Sequence, residues 1–148
     1  MVILGSEEVE RAMSGEELNE KTDYWAELAE YDLETARVML AGGRLLYVGF
    51  MCHQVVEKAL KAYYVNAKGG MPPYVHNLRR LASESGMYAK MSEEQKDLLD
   101  VLEPLNIEAR YPTQKESLAQ TLSQEFCEGL LKRTEELYLW IRERLSSV

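Results

Sequence analysis

The stretch FMCHQVVEKALKAYY, residues 50–64, decides the fold, because it has two apolar stripes at helical spacing. One stripe recurs at intervals of three or four residues and consists of Phe50, His53 or Gln54, Glu57, Leu60 or Lys61, and Tyr64. A second stripe lies beside it and consists of Met51, Val55, Ala59, Ala62 and Val65. Residues three and four apart share one side of an α-helix. The pattern therefore predicts a helix that is buried over much of its circumference.

Polar side chains share the first of these stripes. Gln54, Glu57 and Lys61 are predicted to lie at or near a buried seam. A buried carboxylate needs a partner, and Lys61 stands four residues after Glu57, the favourable order for a helical ion pair. Two interpretations stay open, a structural cluster that fixes the helix register and a functional site.

Composition indicates one helical domain. The chain has 148 residues, of which 46% are hydrophobic and 28% charged, with only four prolines and nine glycines. No apolar run reaches the roughly 20 residues of a membrane helix, and the opening MVILGSEEVE lacks the basic region of a secretion signal. Cys52 and Cys127 are isolated thiols, expected to be buried and reduced. These features predict a cytoplasmic protein.

Net charge argues against a general nucleic-acid-binding surface. The formal net charge is -8 at pH 7, whereas binding along a phosphate backbone needs a basic face. Residues 1–23 hold seven Asp or Glu against two Lys or Arg, which is -5 of the -8. The remainder is -3, so a local basic patch on the body of the protein is compatible with the sequence.

Helix-capping motifs and the helical spacing of apolar residues predict an all-α, up-and-down bundle of four to five helices. Residues 1–21 are expected to form an acidic segment with a short helix that begins at Ser14, and residues 22–148 the helical domain. Pro104 is expected to end or kink the fourth helix of the domain. No stretch alternates with the period of two that a strand needs. The expected helices span 22–41, 44–67, 75–85, 92–105 and 126–145.

An ordered set of features resembles the HEPN family. It comprises Asp32 in the first long helix, HQVVEKALKAYY at 53–64, His76 before the Leu-x-x-Leu of 78–81, and EARYP at 108–112. The resemblance covers roughly residues 22–145. It implies a small helical domain that pairs as a homodimer and is proposed to bind nucleotides. Many such domains accompany a minimal nucleotidyltransferase in toxin–antitoxin modules, and some are metal-independent ribonucleases with an Arg-x(4-6)-His motif.

This chain departs from the ribonuclease motif. No Arg stands at the required distance before His53 or His76, and no His follows Arg110 at that distance. The expected function is therefore that of a non-catalytic or weakly catalytic module, which binds a nucleotide or is the interaction partner of a minimal nucleotidyltransferase. Two alternatives remain, a diverged ribonuclease toxin and a structural helical dimer without ligand.

Seven residues are candidates for ligand binding or for a polar network. Arg110 is suited to phosphate, although a salt bridge to Asp32 or Glu57 is an equal alternative. Tyr111 is suited to stacking on a base. His76 is expected chiefly to cap a helix, and His53 to pack. No metal site and no cofactor are expected, because neither histidine has metal-ligand spacing. The seven candidates are Asp32, Gln54, Glu57, Lys61, His76, Arg110 and Tyr111.

Overall fold

Five α-helices build the fold in this computed structural model, which describes residues 13–108 and 122–146. They are α1 (Gly15–Ala41), α2 (Leu45–Lys68), α3 (Leu78–Ser85), α4 (Glu93–Glu108) and α5 (Gln124–Arg142), with a 3-10 turn at Tyr88–Lys90 between α3 and α4. The described residues contain no strand. The predicted all-α bundle of four to five helices is therefore confirmed.

Helix α2 is the central element, as its two apolar stripes predict. It packs against each of the other four helices, and 14 of its 24 residues are buried. Most surface helices need only one apolar stripe. The second stripe of α2 lets it contact α1 and α5 on one side while α3 and α4 cover the other.

The capping box at Ser14 begins the first long helix itself. The Oγ of Ser14 accepts a hydrogen bond from the backbone N–H of Glu17 at 3.1 Å, and α1 continues without a break to Ala41. The expected separate short helix before residue 22 is therefore wrong. Strong helix formers on both sides of residue 22 allow the chain to stay helical there.

Other helix ends differ from the predicted ones by a few residues. Helix α3 begins at Leu78, because Asn77 supplies the cap. Ser92 and Gln95 form the predicted reciprocal capping box at the start of α4. Pro104 does not end α4, which continues to Glu108. The missing N–H of a proline removes one helical hydrogen bond, and the packing of Leu105 in the core compensates for it.

The core is continuous through the bundle and includes both cysteines as free thiols. Burial raises the pKa of Cys52 to about 12, although the hydroxyl of Thr134 acts in the opposite direction. Gly49 allows α2 and α4 to approach closely, since a Cβ there would lie 2.9 Å from the Cδ1 of Leu105. No described helix has the combination of length and apolar character that crossing a membrane requires.

We expect Leu60→Ala to lower the free energy of unfolding by about 2–5 kcal/mol, because it leaves a cavity at a fully buried site on α2. Urea titration followed by circular dichroism measures this change. Leu139→Ala is the matched control on α5, where the side chain is half exposed. Equal losses in the two variants would contradict the central position of α2.

Candidate functional site

A buried carboxylate on α2 organises the site. Glu57 is only 3% exposed. The ammonium of Lys61 donates to its Oε2 at 3.1 Å, and the Nδ1 of His76 lies 3.2 Å from both carboxylate oxygens. The Nδ1 of His53 is 3.8 Å from Oε1. We call these residues, together with Glu103, the Glu57 cluster.

His53 joins Glu57 to a second carboxylate. The imidazole is fully buried, and its Nε2 lies 3.7 Å from Oε2 of Glu103 on α4. That distance is too long for a hydrogen bond, and this Nε2 has no hydrogen-bond partner among the described residues. His53 therefore lies next to Glu103 without a hydrogen bond to it.

Glu103 ties the cluster to the start of α3. Its Oε1 accepts a hydrogen bond from the backbone N–H of Leu78 at 2.8 Å. Burial acts to raise the pKa of Glu103, but the proximity of His53 and the hydrogen bond from the Leu78 N–H outweigh it, so the pKa lies below its ordinary value. The ionised form is thus favoured, and it caps a free N–H of α3.

Lys61 links the cluster to α1. Its side chain is nearly buried, and its Nζ lies 5.2 Å from the centroid of the Trp25 ring. A cation over an indole face is favourable, and more so when the cation is withdrawn from water. Lys61 therefore has an anionic partner on its own helix and an aromatic partner on the neighbouring one.

The loop between α2 and α3, residues 69–77, carries His76 onto Glu57. It starts at Gly69, whose φ of 74° favours glycine. Tyr74 lies beside His76 with ring centroids 5.9 Å apart at 62°. Tyr74 is 93% exposed, and the side chain of His76 is 46% exposed. The Tyr74–His76 pair is therefore the solvent-facing end of a cluster in which His53, Glu57 and Lys61 are buried.

The structure brings together three of the predicted candidates and links a fourth to them. Glu57, Lys61 and His76 are in direct contact. Gln54 lies 3.4 Å from the Nδ1 of His53 and donates a hydrogen bond to Asn106 of α4 at 3.3 Å. The predicted ion pair of Glu57 with Lys61 is thus present.

Asp32 does not join this group. It is buried on α1, but it forms its ion pair with Lys58 of α2. Of the candidates for a polar network, Asp32 is therefore paired outside the Glu57 cluster. Lys58 and Lys61 lie three residues apart, and the two lysines divide the two carboxylates between them.

Two histidine assignments also need correction. His76 does not cap α3, because the Oδ1 of Asn77 accepts the hydrogen bond from the Arg80 N–H at 2.8 Å. His53 does more than fill space, because it lies between two carboxylates. Arg110 and Tyr111 lie outside the described residues.

Sequence reasoning missed Glu103, Asn106 and Tyr74. Glu103 and Asn106 follow Leu99 at intervals of four and three residues, so helical periodicity places them on the inward side of α4. Polar residues in that apolar pattern were a usable signal. Tyr74 had no such signal, because its exposure depends on the path of the loop.

The described residues contain no group of three or more His, Cys, Asp and Glu side chains arranged to hold a metal ion. The Glu57 cluster contains two carboxylates, those of Glu57 and Glu103, and one lysine, Lys61. Its net charge is therefore -1 before the two imidazoles are counted. The chemistry available at the surface is therefore that of a half-exposed imidazole held by a buried carboxylate, next to an exposed phenol ring.

Comparison with known proteins identifies the family. The HEPN domain family matches residues 22–144, most of the chain, and the chain belongs to that family. The crystal structure of TT1696 from Thermus thermophilus has a similar fold, with a TM-score of 0.73 and 22% sequence identity over 84% of this chain and 98% of that one. No curated protein matches the sequence significantly.

We expect Lys61→Met to lower the free energy of unfolding by about 3–5 kcal/mol, because it leaves Glu57 buried without its main counter-charge. Chemical denaturation measures this loss. Lys132→Met removes an exposed lysine from α5 and should change stability by about half a kcal/mol or less. If Lys61→Met lowered the free energy of unfolding as little as Lys132→Met does, Glu57 would not depend on Lys61 as its counter-charge.

Proposed function

We propose that this chain is a non-catalytic, nucleotide-binding HEPN module that forms a homodimer and acts with a minimal nucleotidyltransferase in a toxin–antitoxin-type pair. One observation carries the nucleotide part of the proposal. An almost fully exposed Tyr74 lies against His76, and His76 is anchored on the buried carboxylate of Glu57. The nucleotidyltransferase part rests on family membership.

Tyr74 has the character of a stacking platform. Exposing an aromatic ring this fully is unfavourable unless the ring has a partner, and a base can stack on it. The neighbouring loop residues Pro72 and Pro73 restrict the backbone, so less order is lost when a ligand binds. His76 holds the end of the loop in place through Glu57.

Two arginines at the start of α3, three and four residues after His76 in the chain, supply positive charge. Arg79 lies 3.6 Å from Asp100, and Arg80 forms an ion pair with Glu84. All four side chains are exposed, and exposed ion pairs contribute little stability. A phosphate can therefore compete for either guanidinium, whose planar donors suit it.

The absence of an Arg-x(4-6)-His motif from the sequence favours binding over cleavage. Within the described cluster, Lys61 is paired with Glu57 and buried. It is therefore poorly placed to stabilise the extra charge that develops at phosphorus during cleavage. These two points support the non-catalytic assignment against the ribonuclease alternative.

The outer face of α1 supports the homodimer. Tyr24, Tyr31 and Val38 are all exposed and stand seven residues apart, so they form one stripe along α1. A symmetric interface needs a self-complementary patch. A two-fold axis at Tyr31 would place Tyr24 of one subunit against Val38 of the other in an antiparallel helix pair.

We expect the protein to bind ATP or a short single-stranded RNA, and Tyr74→Ala to weaken that binding by roughly 5- to 150-fold through loss of base stacking. Isothermal titration calorimetry gives both affinities. Met71→Ala is the matched control, since it removes another exposed side chain from the same loop without an aromatic ring. Its affinity should equal that of the wild type.

Two outcomes would overturn this proposal. If the wild type binds neither probe, the structural-dimer alternative replaces nucleotide binding. If the wild type degrades the RNA and Arg110→Ala does not, the protein is a ribonuclease. Electrophoresis of the RNA after the titration separates binding from cleavage.

We expect Tyr31→Glu to convert a dimer into a monomer, because it places a charge at the centre of an apolar interface. Light scattering should give about twice the 17.0 kDa chain mass for the wild type and about the single mass for the variant. Leu139→Glu on α5 is the matched control and should remain dimeric. A wild-type monomer at all concentrations would remove the homodimer from the proposal.

A further inference from the structure

We infer that His76 makes the nucleotide site selective for ribonucleotides, because its Nε2 accepts a hydrogen bond from the ribose 2′-hydroxyl. This inference rests on the proposed nucleotide binding and names the class of ligand. It depends on the tautomer of His76, on the position of its ring and on the groups behind it.

Glu57 fixes the tautomer. Both oxygens of its carboxylate lie 3.2 Å from the Nδ1 of His76, and Lys61 supplies the matching positive charge at 3.1 Å. An ionised carboxylate only accepts hydrogen bonds. The hydrogen of the neutral imidazole therefore sits on Nδ1, which leaves Nε2 with a free lone pair.

The ring position places this lone pair within reach of a ligand. The nitrogen turned inward is Nδ1, and almost half of the His76 side chain remains exposed, against 4% for Glu57. The exposed part therefore includes the side of the ring opposite Nδ1. A ligand at this surface meets a hydrogen-bond acceptor held in a fixed direction.

The charges behind the ring select a hydroxyl over a phosphate. Glu57 lies on the inner side of His76. The described cluster holds a second carboxylate, that of Glu103, and only Lys61 as a fixed opposite charge. A phosphate oxygen at the Nε2 of the neutral ring would place an acceptor against an acceptor, in front of a net negative charge. A sugar hydroxyl can donate to Nε2 and carries no charge.

Tyr74 places the sugar. Its ring is 5.9 Å from that of His76 at an angle of 62°, so a base stacked on Tyr74 does not cover the imidazole. The ribose is attached at the edge of a stacked base, so the inference places it beside the imidazole of His76. The 2′-hydroxyl is the group that distinguishes RNA from DNA at such a contact.

Calorimetric titration of ATP and of 2′-deoxy-ATP tests the inference. The wild type should bind ATP roughly 2- to 13-fold more tightly, the range expected for one neutral hydrogen bond. His76→Phe keeps an aromatic ring but removes both ring nitrogens, and should bind ATP and 2′-deoxy-ATP with equal affinity. Met71→Ala should retain the wild-type preference.

A second measurement does not depend on the ligand. Nitrogen-15 spectra of the imidazole should show the hydrogen of neutral His76 on Nδ1. Hydrogen on Nε2 would overturn the inference, and so would a preference for ATP that survives in His76→Phe. Equal binding of both nucleotides by the wild type would overturn it while leaving the proposed function intact. Binding of neither would overturn both.

Discussion

The negative charge of Glu57 is the constraint on which the arrangement around α2 depends. A buried carboxylate without partners is strongly disfavoured. Lys61 comes from the next turn of the same helix, whereas His76 comes from the loop before α3. The second of these contacts forms only when the loop folds back onto α2. The contact of His76 with Glu57 thus helps to fix the path of the connection between α2 and α3.

The same cluster joins α2 to α1, to α4 and to the start of α3. Glu103 brings α4 and the first turn of α3 together, because it accepts from the Leu78 N–H and faces His53. Trp25 brings in α1 through Lys61. The exposed Tyr74 is connected to this network by His76, which contacts Glu57.

The Asp32–Lys58 ion pair and the Glu57–Lys61 ion pair show how α2 separates its polar contacts. The two lysines lie on α2 about one turn apart. Lys58 pairs with Asp32 of α1, whereas Lys61 pairs with Glu57 of its own helix. Periodicity showed that Asp32, Glu57 and Lys61 point inward. Periodicity did not show that Asp32 would pair with Lys58. That pairing depends on the distance between side chains of two different helices, which the spacing within one helix does not give.

The sequence by itself determined the all-α class, the two-sided burial of α2, the capping boxes at Ser14 and Ser92, and the pairing of Glu57 with Lys61. Each of these depends on residues within about one or two helical turns, where spacing fixes the geometry. Only the tertiary structure decided that His76 contacts Glu57, that His53 lies between two carboxylates and that Tyr74 stands exposed beside them. Those contacts join residues far apart in the chain, and their geometry depends on how helices pack and how a loop returns.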